Sequence, residues 1–182
     1  MLKKIAAVLI AAGLVLPYGC EIRPITQLWS QDTANIFLFG LPVLGAAAYA
    51  LHVLLPPIAQ FHERNGASIH GVLRALIFML FGGFTLTVLS DAPDGARGWT
   101  ALVATAVVCV ILLLFNQGRG TKAQRLPLLL LVMTSFFQIL WFVTFVGEGL
   151  QYGGWIFSAG YAVAVWLEVK GLAATPKVMH GG

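Results

Sequence analysis

The side chains in this chain that could do chemistry are few, and three of them are histidines close together in the sequence. His52, His62 and His70 are joined by Glu63. Imidazoles and a carboxylate are donors that zinc accepts, and two histidines on adjacent helices can ligate haem. The spacing does not press the case, because there is no His-x-x-x-His pair and no Cys-x-x-Cys. Interfacial and loop histidines are ordinary. A haem- or metal-binding membrane redox protein or enzyme is therefore the last of three readings, and no cofactor is expected. Gly118-Arg-Gly-Thr-Lys122 lacks the G-x-x-x-x-G-K-[ST] spacing of a phosphate loop. No G-x-S-x-G nucleophile elbow occurs either. No catalytic residue is assigned, and an enzyme is not the favoured reading.

Outside the histidines, candidate positions lie within apolar runs. Gln138, about halfway along Leu126–Val146, is the deepest strongly polar side chain and is expected to bond a neighbouring helix. Pro42 is expected to kink its helix and free a carbonyl, and Gly82-Gly83 could break the following one at mid-depth. Paired breaks of this kind can mark a transport site. Cys109 reads as a small packing residue inside an apolar run. Cys20 follows Gly19 as in a bacterial lipobox, yet Pro17 and Tyr18 stand where that motif wants an aliphatic and a small residue. Lipidation of Cys20 is the least favoured fate of this segment. No Cys20–Cys109 disulfide is expected, since the two fall at different depths.

The elements that must carry these residues follow from composition. The 182 residues are 59% hydrophobic and 10% charged, with a mean hydropathy of +0.87. Soluble domains carry about 25% charged residues, so these few cannot clothe a water-facing surface. A helix crosses a hydrocarbon core of about 30 Å with roughly 20 residues. Five runs meet that test: 34–55, 72–90, 99–115, 126–146 and 152–169. None alternates as a barrel strand would. The sequence therefore predicts an all-α, polytopic transmembrane helical bundle forming a single domain, with a short tail over 175–182.

Residues 5–19 supply a sixth helix, or else the core of a cleaved signal that leaves five. Lys3 and Lys4 precede a short apolar stretch ending at Pro17. Lysines can snorkel and Tyr18 can sit in the interface, so a retained helix is the reading taken. With the N-terminus inside and six alternate crossings, Lys3, Lys4, Arg64, Arg74, Arg119, Lys122, Arg125, Lys170 and Lys177 are cytoplasmic. Only Arg23 and Arg97 lie outside. The positive-inside rule then sets a cell-membrane protein with both termini inside. Turns are expected at Asn65-Gly66, Ala92–Gly95 and Gly118–Gly120, and Pro56-Pro57 should end the second helix. Trp99 and Trp155 fit an outer aromatic belt, Trp166 an inner one, and Trp141 should pack within the bundle. Glu168 and Lys170 are placed at the interface.

Helix contacts should use small residues: Ala7 with Ala11, Gly45 with Ala46 and Ala48, Gly82-Gly83, and Gly160 with Ala164. The scattered basic residues argue against nucleic acid. The partners expected are the lipid bilayer and other membrane subunits, or a second copy. The leading functional reading is a non-enzymatic accessory or assembly subunit of a membrane complex. The second is a channel or transporter for a neutral or hydrophobic solute, resting on Pro42, Gly82-Gly83 and Gln138.

Overall fold

The computed structural model describes residues 1–18, 23–29, 39–90, 96–116, 120–146 and 149–175. Cys20, the turn expected at 92–95 and most of the tail lie outside these residues. The described chain is all-helical: α1 (Leu2–Val15), α2 (Leu41–Leu54), α3 (Pro56–Ser90), α4 (Ala96–Asn116), α5 (Lys122–Phe145) and α6 (Tyr152–Ala173), with a 3-10 turn over Pro24–Trp29. Three of them contain segments long and apolar enough to cross a membrane: Pro56–Gly83, Lys122–Val143 and Tyr152–Ala173. Helices α1 and α2 have 14 residues each, about 21 Å at 1.5 Å per residue. That is short of a hydrocarbon core of about 30 Å.

Helix α5 is the axis. Its residues 126–138 are buried without interruption, and α2, α3, α4 and α6 all pack on it. A helix that is apolar on every side must be covered on every side. Helix α1 closes the bundle against α6 and α2, burying Ala6, Ala7 and Ile10. The α1–α6 contact is close because it is built on glycine. A Cβ placed on Gly160 would stand 2.9 Å from the Ile10 backbone nitrogen and 3.0 Å from the Ala6 carbonyl oxygen. On α2, Gly45 meets the Leu130 carbonyl and Met133 of α5 in the same way. The pairs around Ala7, Gly45 and Gly160 are thus intramolecular contacts. Trp141 is buried against Phe137 and Phe145, while Trp99, Trp155 and Trp166 are exposed.

Two local expectations are corrected. Asn65-Gly66 is not a turn: α3 runs through it, with the Asn65 amide donating to the Phe61 carbonyl one turn earlier. Gly66 serves a crossing instead, since a Cβ there would lie 3.0 Å from Ala123 Cα on α5. Pro42 is the second residue of α2 and follows π-helical residues at 39–40; its i−4 position, where a kink would free a carbonyl, lies outside the described residues. Gly82-Gly83 does not break α3, which stays helical to Ser90. Pro56 does end α2: Leu55 is extended (φ −113°, ψ 106°), and α3 begins at once.

Replacing Gly160 by leucine forces α1 off α6 and should destabilise the protein by about 1–3 kcal/mol, as overpacking does. Gly171→Ala, where an added Cβ meets nothing within 4 Å, should be neutral or gain up to about 1 kcal/mol. Thermal unfolding in mild detergent compares the two.

Candidate functional site

Five helix ends meet in one cavity of ≈ 290 Å³, lined by Lys3 of α1, His52 of α2, Glu63 of α3, Ala123, Gln124 and Pro127 of α5, and Glu168 of α6. The local sequence explains each position. Lys3 is in the first turn of α1, and His52 in the last turn of α2. Glu63 rides two turns into α3, which the Pro56 boundary aims back past His52. Helix α5 starts at a capping box: Gln124 N–H donates to the Thr121 hydroxyl, and the Thr121 N–H donates to the Gln124 side chain at 2.8 Å. Gly120, at φ 65°, makes the turn before it, and its carbonyl accepts from the Arg125 guanidinium at 2.8 Å. The described part of the segment compared with a phosphate loop, Gly120 to Lys122, thus leads into a capped helix start. Pro127 within α5 has no N–H to return to the Ala123 carbonyl, so the wall beside the cavity carries an acceptor with one donor fewer.

The charge at the cavity floor is Glu168. Its side chain is 6% exposed, and Lys3 Nζ reaches Glu168 Oε2 at 2.9 Å while the Tyr49 hydroxyl donates to Oε1 at 3.3 Å. Its expected interfacial position is corrected to a buried one, held by partners from α1 and α2. A buried carboxylate persists only with such partners. The sequence alone does not reveal this triad; alternate crossing of helices puts Lys3 and Glu168 at the same end, but nothing local pairs them.

His52 and His62 come together across the α2–α3 corner. Their Nδ1 atoms are 3.1 Å apart, ring centroids 5.1 Å, with ring planes inclined by 18°. The nitrogens are closer than the centroids, so the rings meet edge to edge, as an N–H···N hydrogen bond requires. One ring donates and the other accepts. His70 is buried farther along α3. Among the described residues no group of three or more His, Cys, Asp or Glu side chains comes together for a metal, so the three-histidine arrangement is not assembled.

Gln138 is buried in a separate cluster at the other end of the bundle. The Tyr18 hydroxyl donates to Gln138 Oε1 at 3.0 Å, Gln138 Nε2 donates to the Ser158 hydroxyl at 2.6 Å, and Ser158 donates to the Gly154 carbonyl at 2.7 Å. Phe137, Trp141, Phe145 and Phe157 surround the Tyr18 ring. Both ends of the carboxamide are therefore occupied, and its role is to tie α5 to α6 and to the chain leaving α1. Gly82 lies exposed on α3, with nothing within 4 Å of an added Cβ.

Lys3→Met leaves Glu168 buried with a single hydrogen bond and should cost about 1–3 kcal/mol. The figure stays below that for a fully buried pair because Lys3 is 49% exposed. Adding Glu168→Gln should recover most of it, and equal unfolding midpoints for wild type and Lys3→Met would show that the pair contributes nothing. Gln138→Leu removes the carboxamide that the Tyr18 hydroxyl bonds and leaves it Ser158, so a loss of about 0.5–1.5 kcal/mol is expected in the same assay. No family model, curated protein or solved structure matches this chain, so the geometry itself carries the functional reading.

Proposed function

We propose that this chain is a multi-pass protein of the cell membrane, with six helices crossing alternately and both termini inside, and that it works as a non-enzymatic assembly subunit presenting α3 to a partner helix. Several observations support the topology. The ends carrying Lys3, His52, Glu63, Gln124 and Glu168 gather at one cavity, while the chain leaving α1 pairs with the start of α6 at the other end, Gln151 N–H donating to the Tyr18 carbonyl at 2.8 Å. This gathering of ends supports the alternate crossing that the split of the basic residues, nine against two, suggests. Retention of α1 is supported by its share of the core and by Lys3 serving Glu168.

The observation that carries the assembly reading is the outer face of α3. Ala67, Gly71, Ala75, Phe78 and Gly82 recur at helical spacing and are exposed. Gly45, Gly66 and Gly160 each meet a neighbouring helix so closely that a Cβ would crowd it, whereas among the described residues a Cβ on Gly71 or Gly82 meets nothing within 4 Å. A glycine inside a helix costs roughly 0.5–1 kcal/mol relative to alanine. On Gly71 and Gly82 that cost is offset only when another helix approaches. Arg64 and Arg74 lie on the same face and are exposed. Two parallel copies would set arginine against arginine, which favours a different membrane subunit with acidic groups at that depth. The transport reading draws less support, because α5 fills the axis and Gln138 is saturated.

Gly71→Ile with Gly82→Ile should leave the unfolding midpoint of the isolated chain within about 1 kcal/mol of wild type. The same pair should abolish co-migration with its partner on native gels after mild-detergent extraction. A wild-type chain that runs alone as a monomer, or a variant that keeps its partner, would overturn the reading.

A further inference from the structure

Leu55 is the sole residue between α2 and α3, and it is extended between two helix ends. Its N–H closes α2 on the Leu51 carbonyl at 2.9 Å, and its own carbonyl accepts from Ile58 at 3.1 Å to open α3. Proline at 56 prevents one helix from continuing into the other. Both helices pack mainly on α5 rather than on each other. The corner itself is one extended residue, so the angle between the two helices is set by their packing on α5 and by contacts across the corner. The polar link across it is the His52–His62 contact, with Nδ1 atoms 3.1 Å apart.

That contact holds one proton between two nitrogens. With both rings neutral, one Nδ1–H donates and the other Nδ1 accepts. A first added proton goes to the Nε2 of the donating ring and leaves the bond in place. A second goes to the accepting Nδ1 itself, so that two N–H groups and two positive rings face each other at a distance neither tolerates. The charges around the pair match this sequence. Lys3 of α1 and Glu168 of α6 neutralise each other, and Tyr49 of α2 is committed to Glu168. Gln124 of α5 is uncharged, and Glu63 of α3 has no ion-pair partner among the described residues. One carboxylate is left to match one extra proton, and none to match a second.

We propose that His52 and His62 form a proton-binding clasp across the Leu55 hinge, closed while the rings share one Nδ1 proton and opened when both are fully protonated. Opening swings the start of α3 from the end of α2 and uncovers the cavity above Glu168. Histidine is the side chain whose ordinary charge change lies nearest neutral pH, and with two rings facing each other the second proton binds only under more acidic conditions than an isolated ring needs. The proposal is independent of the partner assigned to α3.

The test uses the full chain in lipid nanodiscs with ring-15N histidine. At pH 8 a scalar coupling between the two Nδ1 nuclei is expected, with one donor and one acceptor tautomer. Near pH 5 the coupling should vanish, and backbone hydrogen exchange over 51–62, corrected for its intrinsic pH dependence, should rise about tenfold, as loss of one hydrogen bond allows. His62→Asn should show the raised exchange already at pH 8 and no further change on acidification. Two rings that titrate as independent histidines without coupling overturn the clasp, and so does wild-type exchange that is indifferent to pH. Because the coupling is read on the wild-type chain, it decides the matter whether or not the variant folds.

Discussion

A helix with no polar face cannot be left against water, and α5 is such a helix from Leu126 to Gln138. Everything else in the molecule is arranged to cover it. Helices α2, α3 and α4 lie on three of its sides and α6 on another, and α1 seals the seam between α2 and α6. Among apolar surroundings, no solvent term distinguishes a helix neighbour from a lipid tail, so close packing has to select the right contacts. This explains why close approaches fall on glycines such as Gly13, Gly45, Gly66 and Gly160, where a backbone or a neighbouring side chain occupies the place of the missing Cβ. Dispersion between surfaces in direct contact falls away quickly with separation, so removing a methyl group at a crossing strengthens the whole line of contact.

Polar groups inside the bundle obey a stricter rule, because each must bring its own partner. Gln138 does so with Tyr18 and Ser158, and Glu168 with Lys3 and Tyr49. The two clusters sit at opposite ends of the bundle, and both bring α6 together with α1 or the chain leaving it. They act as pins that fix the register of α1 and α6, while the glycine contacts between them set the distance. Sliding either helix by one turn would strand a carboxylate and a carboxamide together. The same logic places the less constrained region at the α2–α3 corner, where a single extended residue and one histidine contact join two helices otherwise held by α5.

How much of this is legible in the sequence depends on the range of the interaction. Helix type, the stop at Pro56 and the burial of Gln138 and Trp141 are local matters of hydropathy, backbone chemistry and side-chain polarity. They can be read along the chain. The expected break at Gly82-Gly83 and turn at Asn65-Gly66 fail for one reason: glycine permits a bend but does not impose one, and neighbours decide its use. Gly66 is spent on Ala123, more than fifty residues away. The apolar run that starts at Ala34 puts Pro42 in the interior of a helix; α2 is described from Leu41, with π-helical residues just before it at 39–40.

The sequence by itself determined an all-helical, charge-poor chain, with segments long and apolar enough to cross a membrane and with small residues available for contact. Those properties come from composition and from interactions within a few residues. Only the tertiary structure decided that α5 is the axis, that Lys3 and Glu168 meet, that His52 faces His62 while His70 stays apart, and that Gly71 and Gly82 meet no other helix among the described residues. Each of these is a contact between distant positions or the lack of one. Such contacts are fixed by how whole helices pack, which no local pattern of residues encodes.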